Sequence, residues 1–79
     1  MPRYYFHVRG PGERLTDDSG VVLPDSEAAW YQAVRSAREI IRANVHLGCP
    51  FDDHMIEIVD DRGAPVEHIP LADVARYAL

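Results

Sequence analysis

The stretch Arg3-Tyr4-Tyr5-Phe6-His7-Val8-Arg9 decides the architecture. Its period is two: Tyr4, Phe6 and Val8 share one face, and Arg3, Tyr5, His7 and Arg9 share the other. Aromatic and β-branched residues in this alternation specify a half-buried strand. Such a strand needs a covering layer on its apolar face only. Gly10-Pro11-Gly12 ends it, and short strands are expected over residues 13–16 and 21–23.

The covering layer follows in the chain. Pro24-Asp25-Ser26-Glu27 is a helix start: Asp25 or Ser26 can cap, and Glu27 suits the positive end of the helix dipole. Trp30, Ala33, Val34, Ala37, Ile40, Ile41 and Val45 form one apolar stripe at three- and four-residue spacing. Small side chains at Ala29, Ala33 and Ala37 let the helix sit close to a sheet. Gly48 and Pro50 stop it near Leu47.

Two further strands are expected over residues 54–60 and 64–71. Pro65 and Pro70 place the second at an edge, because proline has no N–H for a ladder. Residues 71–79 end in a helical turn. Leu15-Thr16-Asp17-Asp18-Ser19-Gly20 echoes Ile58-Val59-Asp60-Asp61-Arg62-Gly63. Each Asp-Asp-X-Gly suits a type I turn with a left-handed glycine, closing a hairpin through a G1 bulge. In that register Leu15 faces Leu23, Ile58 faces Val66, and His68 lies on the face of Ile56. A two-residue turn instead swaps the faces of one strand. The expected fold is α+β: an antiparallel sheet of four to five strands in the order β-β-β-α-β-β, with one long helix packed on one face. At 79 residues it is a single small domain spanning residues 1–79.

Composition narrows the function classes. Hydrophobic content of 47% and charged content of 27% exclude a disordered chain. A formal net charge of −5 argues against generic nucleic-acid binding, which depends on neutralising phosphates. One cysteine, Cys49, allows no intrachain disulfide, and no run reaches the length of a membrane span. A cytoplasmic protein with no membrane partner is expected.

The opening Met1-Pro2-Arg3-Tyr4-Tyr5-Phe6-His7-Val8-Arg9, with Leu23-Pro24-Asp25, Glu27-Ala28-Ala29 and Ile69-Pro70-Leu71-Ala72-Asp73, resembles a family of short alphaproteobacterial proteins, a domain of unknown function found in rhizobia and their relatives. The resemblance covers nearly the whole chain. It implies a stand-alone cytosolic domain and brings no activity, cofactor or catalytic residue with it.

Two candidate surfaces remain. Arg3, Tyr5, His7 and Arg9 alternate cations with an aromatic ring on one sheet face, a pattern that can stack bases and hold phosphates or meet a protein partner. Arg35, Arg38 and Arg42 form a second basic stripe on the helix, with Arg35 able to pair with Glu39. The four histidines share no close-spaced ligand motif, so no metal or other cofactor is expected. The aspartate pairs lack the alternating carboxylates of a calcium loop and serve turns. Cys49 follows a helix C-terminus, where the dipole disfavours a thiolate. Pro2 could serve as an N-terminal general base, as in small tautomerases. However, the Gly-Pro-Gly turn and hairpin after the first strand depart from that family. The expectation is a non-enzymatic interaction module that pairs with itself or another protein; the alternative is a nucleic-acid-linked regulator using Arg3, Tyr5, His7 and Arg9.

Overall fold

The computed structural model describes residues 1–77, with side chains described through Arg76. Strand β1 (Arg3–Gly10) is followed by β2 (Glu13–Leu15), β3 (Val21–Val22), helix α1 (Ser26–Leu47), β4 (Met55–Val59), β5 (Pro65–Pro70) and helix α2 (Leu71–Tyr77). The strands form one antiparallel sheet in the order β2-β1-β4-β5, with β3 also on β1. The α+β expectation holds, with α2 as an added short helix. The rest of the expected final turn, residues 78–79, lies outside the described residues.

The alternation read in β1 sorts its side chains as expected. Tyr4 is buried, and Phe6 and Val8 pack against the core. On β4, Ile56 and Ile58 are fully enclosed on the same side. Helix α1 covers this face through Ala29, Ala33, Val34, Ala37 and Ile41, the three alanines being completely buried. Leu71 and Val74 of α2 complete the cluster. Asp25 is the cap and accepts from the Ala28 N–H at 2.9 Å. At the other end Gly48 is left-handed, its N–H reaches the Val45 carbonyl, and the Cys49 N–H reaches Asn44. This is the paired closure of a Schellman motif, and it accounts for the Gly48-Cys49 step.

Three expectations are corrected. Leu15 does not face Leu23, because β2 and β3 do not pair with each other. Both lie antiparallel to β1, Leu15 opposite Val8 and Val21 opposite Tyr4. Residues 16–20 loop out between them as an interruption in one long edge.

The second hairpin closes as expected at Asp60, whose N–H bonds the Ala64 carbonyl, while the Gly63 N–H bonds the Asp60 carbonyl. A further register shift then falls between Ile58 and Val59. Ile58 therefore faces Glu67 rather than Val66, and His68 lies opposite Glu57, exposed, rather than on the face of Ile56. Ile69, counted from the turn onto the outer face, instead pairs with Ile56 and is buried. The extra residue, Val66, turns the strand so that an isoleucine is enclosed and an imidazole is not. Full burial of such an apolar side chain contributes about 1.5–3 kcal/mol, whereas an enclosed imidazole must find partners.

Third, the apolar stripe of α1 is shorter than its periodicity. Trp30 is 39% exposed and Val45 is 64% exposed. A 22-residue helix is about 33 Å long, so its last turns run past Ile41, the last buried position, and leave Val45 exposed, while Trp30, between buried Ala29 and Ala33, stands at the flank of the stripe beside the β5 edge.

Candidate functional site

Both helices pack on one side of the sheet, and no described element covers the other. That open face carries Arg3, Tyr5, His7 and Arg9 from β1, beside Met55, Glu57 and Val59 from β4. Tyr5, His7, Met55, Glu57 and Val59 are each half-buried.

The charged groups of β1 are engaged within the chain. Arg9 and Arg14 lie directly opposite each other on β1 and β2, a repulsive placement if left alone. Glu57 sits between them. Its Oε2 accepts from Arg9 Nη1 at 2.9 Å, and its Oε1 lies 3.8 Å from Arg14 Nη2. Arg3 Nη1 donates to the Ser19 carbonyl at 2.9 Å.

Asp17 anchors the looped-out segment. Its Oδ2 accepts from the Phe6 N–H at 3.0 Å, supplying the acceptor that the interrupted edge withholds. Its Oδ1 accepts from the Ser19 and Gly20 N–H groups, each at 3.1 Å. The Asp17 N–H in turn donates to His7 Nδ1 at 3.0 Å, which requires the His7 proton to sit on Nε2. Burial opposes ionisation of Asp17, but the three backbone donors and nearby His7 outweigh it and hold the carboxyl below its ordinary range. Gly20 completes the anchor at φ +69°. A Cβ there would stand 2.9 Å from Arg3 Cγ, the Tyr4 carbonyl and the Tyr5 ring alike. The Asp60 turn repeats the chemistry, with its Oδ1 accepting from the Arg62 and Ala64 N–H groups at 2.9 Å.

The two aspartate loops border a shallow groove of about 500 Å³ over Tyr5, His7 and Val59, with Asp18, Asp60 and Asp61 on its rim. The open face is thus mixed in sign: toward the loops Asp17, Asp18, Asp60 and Asp61 outnumber Arg3, and toward the other end Arg9 and Arg14 flank Glu57, Arg14 lining the same groove.

The sequence-predicted residues divide into two sets that do not meet. Arg35 and Arg42 are exposed on α1, on the opposite layer from β1's outer face. Arg38 is half-buried, and its Nε is enclosed without a hydrogen-bond partner. No ion pair joins Arg35 to Glu39 among the described residues.

Sequence reasoning read Asp17 as a turn residue but missed its link to β1, and it missed Arg14 and Glu57, because these roles depend on register. It also missed a pair at the far end, where His54 Nε2 lies 2.9 Å from Glu13 Oε1. The ring packs against Gly10, where a Cβ would come within 2.7 Å of it. A cavity of about 410 Å³ adjoins this pair, with Cys49 and Asp53 on its wall. One ring nitrogen is held by Glu13, and the other is enclosed with no hydrogen-bond partner among the described residues. Among the described residues, no three His, Cys, Asp or Glu side chains converge as metal ligands.

A family model described as a domain of unknown function, DUF6894, matches residues 3–72. The chain belongs to the DUF6894 family. The DUF6894 match runs from the first residue of β1 into the first turn of α2, so it includes the whole sheet, α1 and both aspartate loops. No curated protein and no solved structure matches the chain. Among the described residues, no helix is long and apolar enough to cross a membrane.

Proposed function

We propose that this chain is a small cytoplasmic interaction module, not an enzyme, that pairs with a second copy of itself through the open face of the sheet. The observation that carries the reading is the half-buried strip of Tyr5 and Val59, continued by Met55 beyond the His7–Glu57 pair, which no described element covers. Tyrosine, methionine and arginine, which this face carries, are the side chains enriched at interfaces.

Charge favours a second copy as the occupant. A two-fold axis lying in this face and perpendicular to the strands turns one copy end for end, so the acidic rim of Asp18, Asp60 and Asp61 meets the partner's Arg14, which Glu57 holds less closely than Arg9. Self-complementarity of this kind is what an isologous contact requires.

The same charges disfavour a nucleic acid. Arg3 and Arg9 already serve in-chain acceptors, and the carboxylates on the groove rim repel phosphate.

The test is sedimentation equilibrium from micromolar to millimolar protein, with Val59→Glu as the disrupting variant. Wild type is expected to reach dimer mass, the variant to remain monomeric with an unchanged circular-dichroism spectrum, and molar salt to shift wild type toward monomer. A wild-type chain that stays monomeric at millimolar concentration overturns the proposal. So does a Val59→Glu chain that dimerises equally well.

A further inference from the structure

We propose that the groove beside Trp30 binds an arginine or lysine side chain of a partner protein. The groove lies on the helical side, between α1, the β5 edge and α2, and encloses about 340 Å³. It shares no residue with the open strip of Tyr5, Met55 and Val59, so the two proposals stand or fall separately.

Its parts match a long cationic side chain. Val34, Ile69 and Val74 form an apolar floor, each almost fully buried. The Trp30 ring is held edge-on by Tyr31, at 5.1 Å between centroids and 79° between planes, and remains partly open to solvent. Glu67 on β5 and Asp73 on α2 also line the groove. Both are exposed, and neither enters an ion pair among the described residues. An aliphatic stem can lie on the floor while its cationic head meets the indole face and the two carboxylates. The net charge of −5 adds long-range attraction for a basic partner.

The edge itself argues for a side chain rather than an added strand. Pro65 and Pro70 have no N–H to offer an incoming backbone.

Trp30 is the one tryptophan, so its indole N–H gives a single NMR cross-peak to follow. The probe is a capped Gly-Gly-Arg-Gly-Gly peptide, with the citrulline peptide as a neutral isostere. The arginine peptide is expected to shift the indole signal saturably, with a dissociation constant in the millimolar range. Glu67→Gln with Asp73→Asn is expected to weaken binding about fivefold or more, since each exposed charge pair accounts for up to about fivefold. Both substitutions are at exposed positions and should leave the circular-dichroism spectrum unchanged. Equal binding of the citrulline peptide, an unaltered affinity in the double variant, or no saturable shift with wild type each overturns the proposal.

Discussion

Replacing Asp17 with alanine tests the account of the first sheet edge. The carboxylate holds three backbone donors, at Phe6, Ser19 and Gly20. A hydrogen bond to a charged acceptor contributes about 1.5–3 kcal/mol, and a donor left unsatisfied in a buried position costs a similar amount. The three are not equal. The Phe6 N–H belongs to an inner strand, and it and the Gly20 N–H are partly enclosed, while the Ser19 N–H is exposed. Counting Phe6 and Gly20 at about 1 kcal/mol or a little more each and Ser19 at a few tenths, Asp17→Ala should lose about 2–3 kcal/mol. For a domain of this size that lowers the melting temperature by about 10–20 °C. Asp17→Asn keeps an acceptor oxygen but loses its charge, and should fall about halfway.

The effect should also depend on pH with a definite sign. The Asp17 carboxyl has a lower pKa folded than unfolded, so the unfolded chain takes up the proton first. The stabilisation is therefore complete above the unfolded value of about 4, and is lost as pH falls through the folded value beneath it. Urea denaturation followed by Trp30 fluorescence, at about pH 7 and about pH 3, measures both parts. The gap between wild type and Asp17→Asn should narrow at the lower pH. A loss under about 0.5 kcal/mol for Asp17→Ala, the range of ordinary surface substitutions, would refute the anchoring role. A gap that stays constant across this range would refute its charge dependence.

The left-handed glycines of the two aspartate loops, Gly20 and Gly63, give an internal comparison. Gly63→Ala, at φ +80° with no atom within 4 Å of the new Cβ, should cost about 1–2 kcal/mol of backbone strain alone. Gly20→Ala adds contacts at 2.9 Å, one of them with a backbone carbonyl, and should cost at least about 1 kcal/mol more by thermal melt. Glu57→Gln leaves Arg9 and Arg14 facing each other unneutralised. It should destabilise by about 0.5–1 kcal/mol at low salt, with the difference from wild type shrinking toward zero in molar sodium chloride.

Element types and most boundaries were legible because they depend on local chemistry. The β1 alternation, the Asp25 cap, the Gly48 stop and the prolines of β5 each act within a few residues. Register was less legible because it depends on exchanges between segments distant in sequence. Counting outward from the Asp60 turn, which closes as read, put Ile69 on the open face. The added residue at Val66 reverses that assignment. No local signal marks it, since the shift is decided by whether Ile69 or His68 fits beneath α1. The candidate face was read correctly as a face, because alternation alone sets which β1 side chains share it. What those side chains do was not readable. Arg9 meets Glu57 from 48 residues away, and His7 meets Asp17 from 10 residues away.

The two Asp-Asp-X-Gly segments show how far a local motif determines its surroundings. In each, the first aspartate gathers nearby backbone N–H groups and the glycine turns left-handed. After β4 the chain has no partner on that side, so the turn closes a hairpin and β5 becomes the edge. After β2 the chain already runs antiparallel to an eight-residue strand with unpaired backbone still ahead of it. Continuing along β1 satisfies more of that backbone than folding back, so the same four residues become a looped-out anchor. This difference bears on the open face. Arg3 is tied to the Ser19 carbonyl, and Asp17 to His7 and the Phe6 N–H of β1, before any partner arrives. A face held in this way loses little side-chain freedom on association, which lowers one of the main costs of forming an interface.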